Sequence, residues 1–156
     1  MRVSDDYVIC GKPISLVTAR RHLVEVAERA QAYNCDPGRL LAIREVAVFG
    51  SYLDPGARYL GDLDLAVSVV RRESDPDLYV RKVLAYARAS GRRFGAFHEL
   101  LHWPARELRM FLKNRSPAIR VTSDDVGQLT GCYKIIYLAS EDPHAIPPPP
   151  NAMAGC

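Results

Sequence analysis

The sequence predicts an α+β protein, a single domain mixing helices with strands, and three segments carry that prediction. Small or apolar residues at Leu16, Ala19, Leu23, Val26, Ala30 and Tyr33 recur at steps of three and four, the period of one face of a helix. Val46-Ala47-Val48-Phe49 is a short apolar run, rich in β-branched and aromatic residues and closed by Gly50, which suits a buried strand. Over residues 62–70, Leu63, Leu65, Val67 and Val69 alternate with Asp62, Asp64, Ala66 and Ser68, so an apolar side and a polar side of a strand separate cleanly.

Taken in order, the first helix carries Arg20, Arg21, Glu25, Glu28 and Arg29 between its apolar positions and stops at Asn34-Cys35-Asp36-Pro37-Gly38, where Pro and Gly interrupt helical hydrogen bonding. The strand over 46–49 leads into a loop containing Asp54-Pro55-Gly56 and Gly61, and the alternating strand follows. Asp75-Pro76-Asp77 supplies an N-cap with proline in the first turn, and Gly91 closes that helix. A further helix is expected over 105–114, entered through Pro104, with Leu108, Phe111 and Leu112 inward and Arg106, Arg109 and Lys113 toward solvent. Residues 118–122 and 133–138 are the remaining strand candidates. From Pro143 the composition turns to a run of four prolines, which favours extended polyproline geometry and cannot pair in a sheet; the domain is therefore expected over 1–142 and a flexible tail over 143–156.

At 156 residues the chain is long enough for one core and too short for two well-packed units. A content of 48% hydrophobic and 25% charged residues is an ordinary globular balance and does not require disorder. The formal charge is +3 with Arg outnumbering Lys, a bias that base composition explains more readily than a demand for phosphate binding. Cys10, Cys35, Cys132 and Cys156 are scattered without a CxxC pair and read as buried or idle thiols. No apolar leader and no run of about 18 apolar residues occurs, so a cytoplasmic protein without a membrane span is expected.

The chemistry centres on two groups. Gly50 permits close approach of backbone to phosphate, and Ser51 offers a hydroxyl and an amide where free N–H groups gather at a strand-to-helix turn. Asp62 and Asp64 lie two apart on a strand and project from one face about 7 Å apart along the chain, a separation that divalent ions bridge. Hard oxygen ligands favour Mg²⁺ or Mn²⁺. One ion would hold a nucleoside triphosphate and assist the leaving pyrophosphate, and a second would activate an acceptor hydroxyl.

Phe49-Gly50-Ser51, ten residues, then Asp62-Leu63-Asp64-Leu65 resembles the signature of the DNA polymerase β-like nucleotidyltransferase superfamily, and most resembles its minimal stand-alone branch, from the helix before Val46 to about Thr122. The resemblance implies a small mixed sheet flanked by helices, the polymerase β palm-like fold. It implies Gly50 and Ser51 as triphosphate ligands, Asp62 and Asp64 as catalytic metal ligands, and transfer of a nucleoside monophosphate, AMP by preference from ATP, to a hydroxyl of a protein or RNA partner. Small relatives of this kind act on partner toxins, tRNA ends or aminoglycosides; the lack of an obvious second acceptor-binding domain favours a protein or RNA partner in a toxin-antitoxin or defence setting. The pattern departs at the third carboxylate, which normally helps to activate the acceptor from a later strand. The matching strand, Ala118-Ile119-Arg120-Val121-Thr122, carries no acid; Asp124 and Asp125 just beyond it are the candidates to replace the missing carboxylate, although their cap-like position before Val126 more simply suggests a turn or helix start. The alternative from another class is a non-catalytic nucleotide-binding or antitoxin-like module of the same fold.

A competing motif, His98-Glu99-Leu100-Leu101-His102, formally matches the HExxH of zinc hydrolases. Pro104 and Gly95 disfavour a continuous helix there and no third ligand stands out, so a helix end near a bend is the expected reading. The basic pairs Arg71-Arg72 and Arg92-Arg93, and the stripe Arg106, Arg109 and Lys113, read as solvated faces or as contacts for a nucleotide, an RNA or an acidic partner. Tyr52 and Arg58 sit in the loop between the two halves of the signature, open to base or phosphate contacts or to solvent alone.

Overall fold

Where the sequence alternates or repeats at helical spacing, regular structure forms. The computed structural model describes residues 12–150. Along the chain lie β1 (Ile14–Ser15), α1 (Leu16–Asn34), β2 (Leu41–Phe49), a 3-10 turn (Gly50–Leu53), β3 (Tyr59–Leu60) and β4 (Leu63–Arg71). These are followed by α2 (Pro76–Ala89), α3 (Phe97–Leu101), α4 (Trp103–Lys113), β5 (Ile119–Thr122), α5 (Val126–Leu129) and β6 (Tyr133–Leu138). Ser15 caps α1 by accepting the Thr18 amide at 3.2 Å, and Asp75 caps α2 by accepting the Leu78 amide at 2.9 Å, each satisfying a donor that the first helical turn leaves free.

The main sheet has the order β5-β4-β2-β6. β2 pairs antiparallel with β4 and β6, while β4 and β5 are parallel. β1 and β3 form a separate antiparallel pair. The protein is thus a mixed α+β fold with a small mixed sheet flanked by helices. Leu23 and Val26 of α1, Val83 of α2 and Leu108 of α4 share one core with Val48 of β2 and Leu65 of β4. The opposite face carries a much smaller cluster, Ala47 and Ala66 under Val126, with Phe49 beside them. No helix among the described residues is long and apolar enough to cross a membrane.

Several boundaries differ from those read in the sequence. β2 begins at Leu41 rather than at Val46, because a register shift between Ile43 and Glu45 changes the phase of burial. Leu41 and Ile43 before the shift, and Val46 and Val48 after it, all enter the same core, and a simple alternation cannot describe both halves. α3 and the strands β1 and β3 are additions, each too short to generate a period. Helix α4 starts at Trp103 with Pro104 in its first turn, where proline is tolerated. Cys35 and Cys132 are exposed; Cys10, Cys156 and the N-terminal segment 1–11 lie outside the described residues.

Of the proline-rich segment 143–156, residues up to 150 are described. Its Ile146 amide donates to the Asn34 carbonyl at 3.0 Å, and Arg72 Nη1 donates to the Ile146 carbonyl at 2.7 Å. The same guanidinium donates to the Asn34 carbonyl at 3.1 Å, so the end of α1 and Arg72 together supply the backbone partners that proline composition could not reveal.

Asn34, only 1% exposed, organises this end of the sheet. β6 stops opposite Glu45, and beyond it the Asn34 side chain takes over: Oδ1 accepts the Ile43 amide at 2.8 Å and Nδ2 donates to the Ile43 carbonyl at 2.8 Å. Nδ2 also donates to the Tyr137 hydroxyl at 2.7 Å. That hydroxyl donates in turn to Asp142 at 2.8 Å; burial and the Asp142 hydrogen bond push it up to about 12. Asn34→Ala strips partners from buried backbone groups, and chemical denaturation should show a loss of about 2–4 kcal/mol. Tyr137→Phe, which removes one hydroxyl, should lose about 1 kcal/mol in the same measurement.

Candidate functional site

The two halves of the signature meet because β2 and β4 are antiparallel neighbours. The register sets Phe49 opposite Asp64, and the chain leaves β2 through Gly50 at φ 77°, a left-handed conformation that side-chain-bearing residues rarely adopt. A Cβ at Gly50 would lie 3.0 Å from Asp64 Oδ2. The backbone conformation therefore calls for glycine here, whereas the Asp64 carboxylate, the end of a side chain, would need to give by only a few tenths of an ångström. Ser51 follows, exposed, in the 3-10 turn Gly50–Leu53.

The loop that returns to β4 is held by local hydrogen bonds, by the pairing of β3 with β1 and by burial. Asp54 accepts the Gly56 amide at 2.9 Å, and Leu60, 1% exposed, anchors β3 in the core. Leu63 and Leu65 are fully buried, which turns Asp62 and Asp64 to the sparsely covered face of the sheet, where both are half-buried. Tyr52 packs against the core and Arg58 is exposed; among the described residues the ion-pair partner of Asp62 and Asp64 is Arg120, not Arg58.

Arg120 completes the arrangement. In the parallel pairing of β4 with β5 it is the neighbour of Asp64. Its guanidinium lies 3.7 Å from Asp62 Oδ2 and 3.9 Å from Asp64 Oδ1. The Arg120 side chain is 70% exposed, so water screens both pairs and the guanidinium is held loosely. Burial raises the Asp64 carboxyl above the usual aspartate range; Arg120 opposes that rise and the Asp62 charge adds to it. The sequence marks Arg120 only as the absence of an acid. Its alternation with buried Ile119 sets its face, and its place beside Asp64 depends on the long crossover from β4 to β5.

Neither Asp124 nor Asp125 joins the pair. Asp124 accepts the Thr122 hydroxyl at 2.6 Å, and Asp125 caps α5 by accepting the Gly127 amide at 2.9 Å. Among the described residues no three His, Cys, Asp or Glu side chains gather at one point. Mg²⁺ commonly takes one or two carboxylates and completes its shell with substrate phosphate and water. Asp62 and Asp64 are two carboxylates of that kind, both bridged by Arg120, and do not form a closed protein cage. In the HExxH segment, His98 and Glu99 belong to α3 while His102 joins α3 to α4. Glu99 accepts the Gly95 amide at 3.0 Å, all three side chains are exposed, and no third ligand joins them among the described residues.

Since the native Asp64 carboxyl titrates above its unfolded value, its ionisation destabilises the native state. Stability is then lost as pH rises through the interval between the two values. Asp64→Asn removes that loss: in thermal melts the variant should be more stable than the parent at neutral pH and match it well below pH ~4. A parent advantage at neutral pH would contradict this account. As for likeness to known proteins, no family model matches the chain, and no curated protein or solved structure proved similar to it.

Proposed function

We propose that this protein is a Mg²⁺-dependent nucleotidyltransferase with the polymerase β palm-like fold of the minimal branch. It moves a nucleoside monophosphate, AMP by preference from ATP, onto a hydroxyl of a protein or RNA partner, in a cytoplasmic toxin-antitoxin or defence setting. The observation that carries this reading is the left-handed Gly50 set directly against Asp64, with Asp62 on the same face. Gly50 carries the backbone close past the Asp64 carboxylate, and Ser51 offers its exposed hydroxyl together with the unpaired amides that begin any helical turn. Asp62 and Asp64 would hold the ion. Bound there, Mg²⁺ neutralises phosphate charge and polarises the phosphorus. In the transfer, the acceptor oxygen bonds to the α-phosphorus, the bond to pyrophosphate breaks with its electron pair on the leaving group, and the hydroxyl proton passes to solvent. Arg120 brings a fixed positive charge to the phosphates once it leaves the acids.

A second reading, the non-catalytic nucleotide-binding or antitoxin-like module, is favoured by one observation: the neighbour of Asp64 on β5 is Arg120 and not an acid. Incubation with labelled ATP or CTP, Mg²⁺ and cell-extract RNA or protein separates the two. Label transfer that vanishes in Asp62→Asn/Asp64→Asn supports the enzyme, whereas nucleotide binding without transfer supports the module. Gly50→Ala should weaken nucleotide binding and lower stability by about 1–3 kcal/mol, since alanine is strained at this φ.

A further inference from the structure

Positive charge is concentrated in one stretch of this chain. Residues 92–120 hold seven Lys or Arg against two acids, whereas the whole chain is only +3, so the remainder is net acidic. Part of this charge surrounds a groove of about 750 Å³ between α4, the turn after it and Arg29 of α1. Arg92, Lys113 and Arg115 line the groove and form no ion pair among the described residues. The one acid in its lining, Glu107, is engaged by Arg39 and by the Tyr86 hydroxyl. The groove therefore presents uncompensated cations to solvent.

Two further features mark it as more than a solvated face. Trp103 is 4% exposed and lines the groove, yet its indole N–H has no hydrogen-bond partner, unlike most buried indoles. Arg92 is exposed and lies 4.5 Å over the Trp103 ring, so one face of its planar guanidinium covers the indole. Asn114 and Arg115 are both left-handed, at φ 45° and 62°, in the turn that carries Arg115 at the groove.

We propose that this groove docks a single-stranded nucleic acid, with phosphates on Arg92, Lys113 and Arg115 and a base stacked on the Arg92–Trp103 pair. Unpaired bases stack on guanidinium planes and aromatic rings while cations track the backbone. The apolar wall of Met110 and Phe111 beside the cations suits a base better than an acidic peptide. The volume falls within the range of small-ligand sites and so admits an unstacked nucleotide, not a duplex. Pro117 lines the groove and is followed by Ala118, whose carbonyl accepts the Leu63 amide at 2.7 Å next to Asp62. Docking stands independently of the transferase reading; only use of the bound strand as acceptor rests on it.

The test is fluorescence anisotropy with labelled oligo(U), oligo(dT), a duplex and polyglutamate, each over a salt series. Oligo(U) and oligo(dT) should bind more tightly than duplex or polyglutamate, with affinity falling as salt rises. Arg92→Ala/Arg115→Ala should weaken oligo(U) binding by about tenfold or more at low salt. Arg81→Ala/Arg88→Ala, on exposed positions of α2, should leave it within about twofold. Arg115→Glu, a single change in the exposed turn, gives an independent loss should the double variant fold poorly. Asp62→Asn/Asp64→Asn should bind oligo(U) as the parent does even if no transfer activity is ever found, which keeps the two readings separable. Undetectable binding at low salt, equal losses in both arginine pairs, or preference for duplex or polyglutamate would overturn the proposal.

Discussion

The antiparallel register between β2 and β4 is the constraint on which the site depends. It pairs Phe49 with Asp64 and Ala47 with Ala66, and strand side chains alternate between faces, so a slip of one residue would drive both aspartates into the core and expose Leu63 and Leu65. The core enforces the register, since Leu63, Leu65, Val46 and Val48 are all fully buried against the helices. Apolar burial on one face thereby holds two carboxylates on the other. The energy that positions the acids comes from residues on the opposite face of the sheet.

The working face remains open because its cover is slight. Ala47 and Ala66 are small and, among the described residues, cluster with Val126 of α5 and Phe49, and Tyr133 and Ile135 stay more than two-fifths exposed. In this setting Asp64 is buried enough to resist ionisation, while Arg120 offsets part of that resistance from a solvated position. Pairs held this loosely contribute little to stability. The arrangement costs the fold something and leaves a polar face within reach of solvent, as functional sites commonly do.

Legibility followed periodicity. Helix α1, strand β4 and strand β6 were readable almost to the residue because each has enough consecutive positions to display its repeat. The first half of β2 was not, since the irregularity at Ile43 and Glu45 resets the alternation. The tie between Asn34 and Ile43 was equally hidden, because an asparagine at a helix end reads as a breaker and gives no sign of serving as the sheet's next neighbour. At the candidate site, Gly50, Ser51, Asp62 and Asp64 stood out by spacing, whereas Arg120 did not.

By itself the sequence determined local matters: which segments are helical or extended, which side of each strand is apolar, and that a glycine-serine pair precedes two same-face aspartates. These depend on residues within a turn or a few strand positions of one another. Tertiary structure alone decided that β5 runs parallel beside β4 and delivers Arg120 to the acids, that Asn34 ends the sheet, and that Trp103 closes a groove rimmed by cations. Those neighbours come from distant parts of the chain, and burial of the shared core, not any local preference, brings them together.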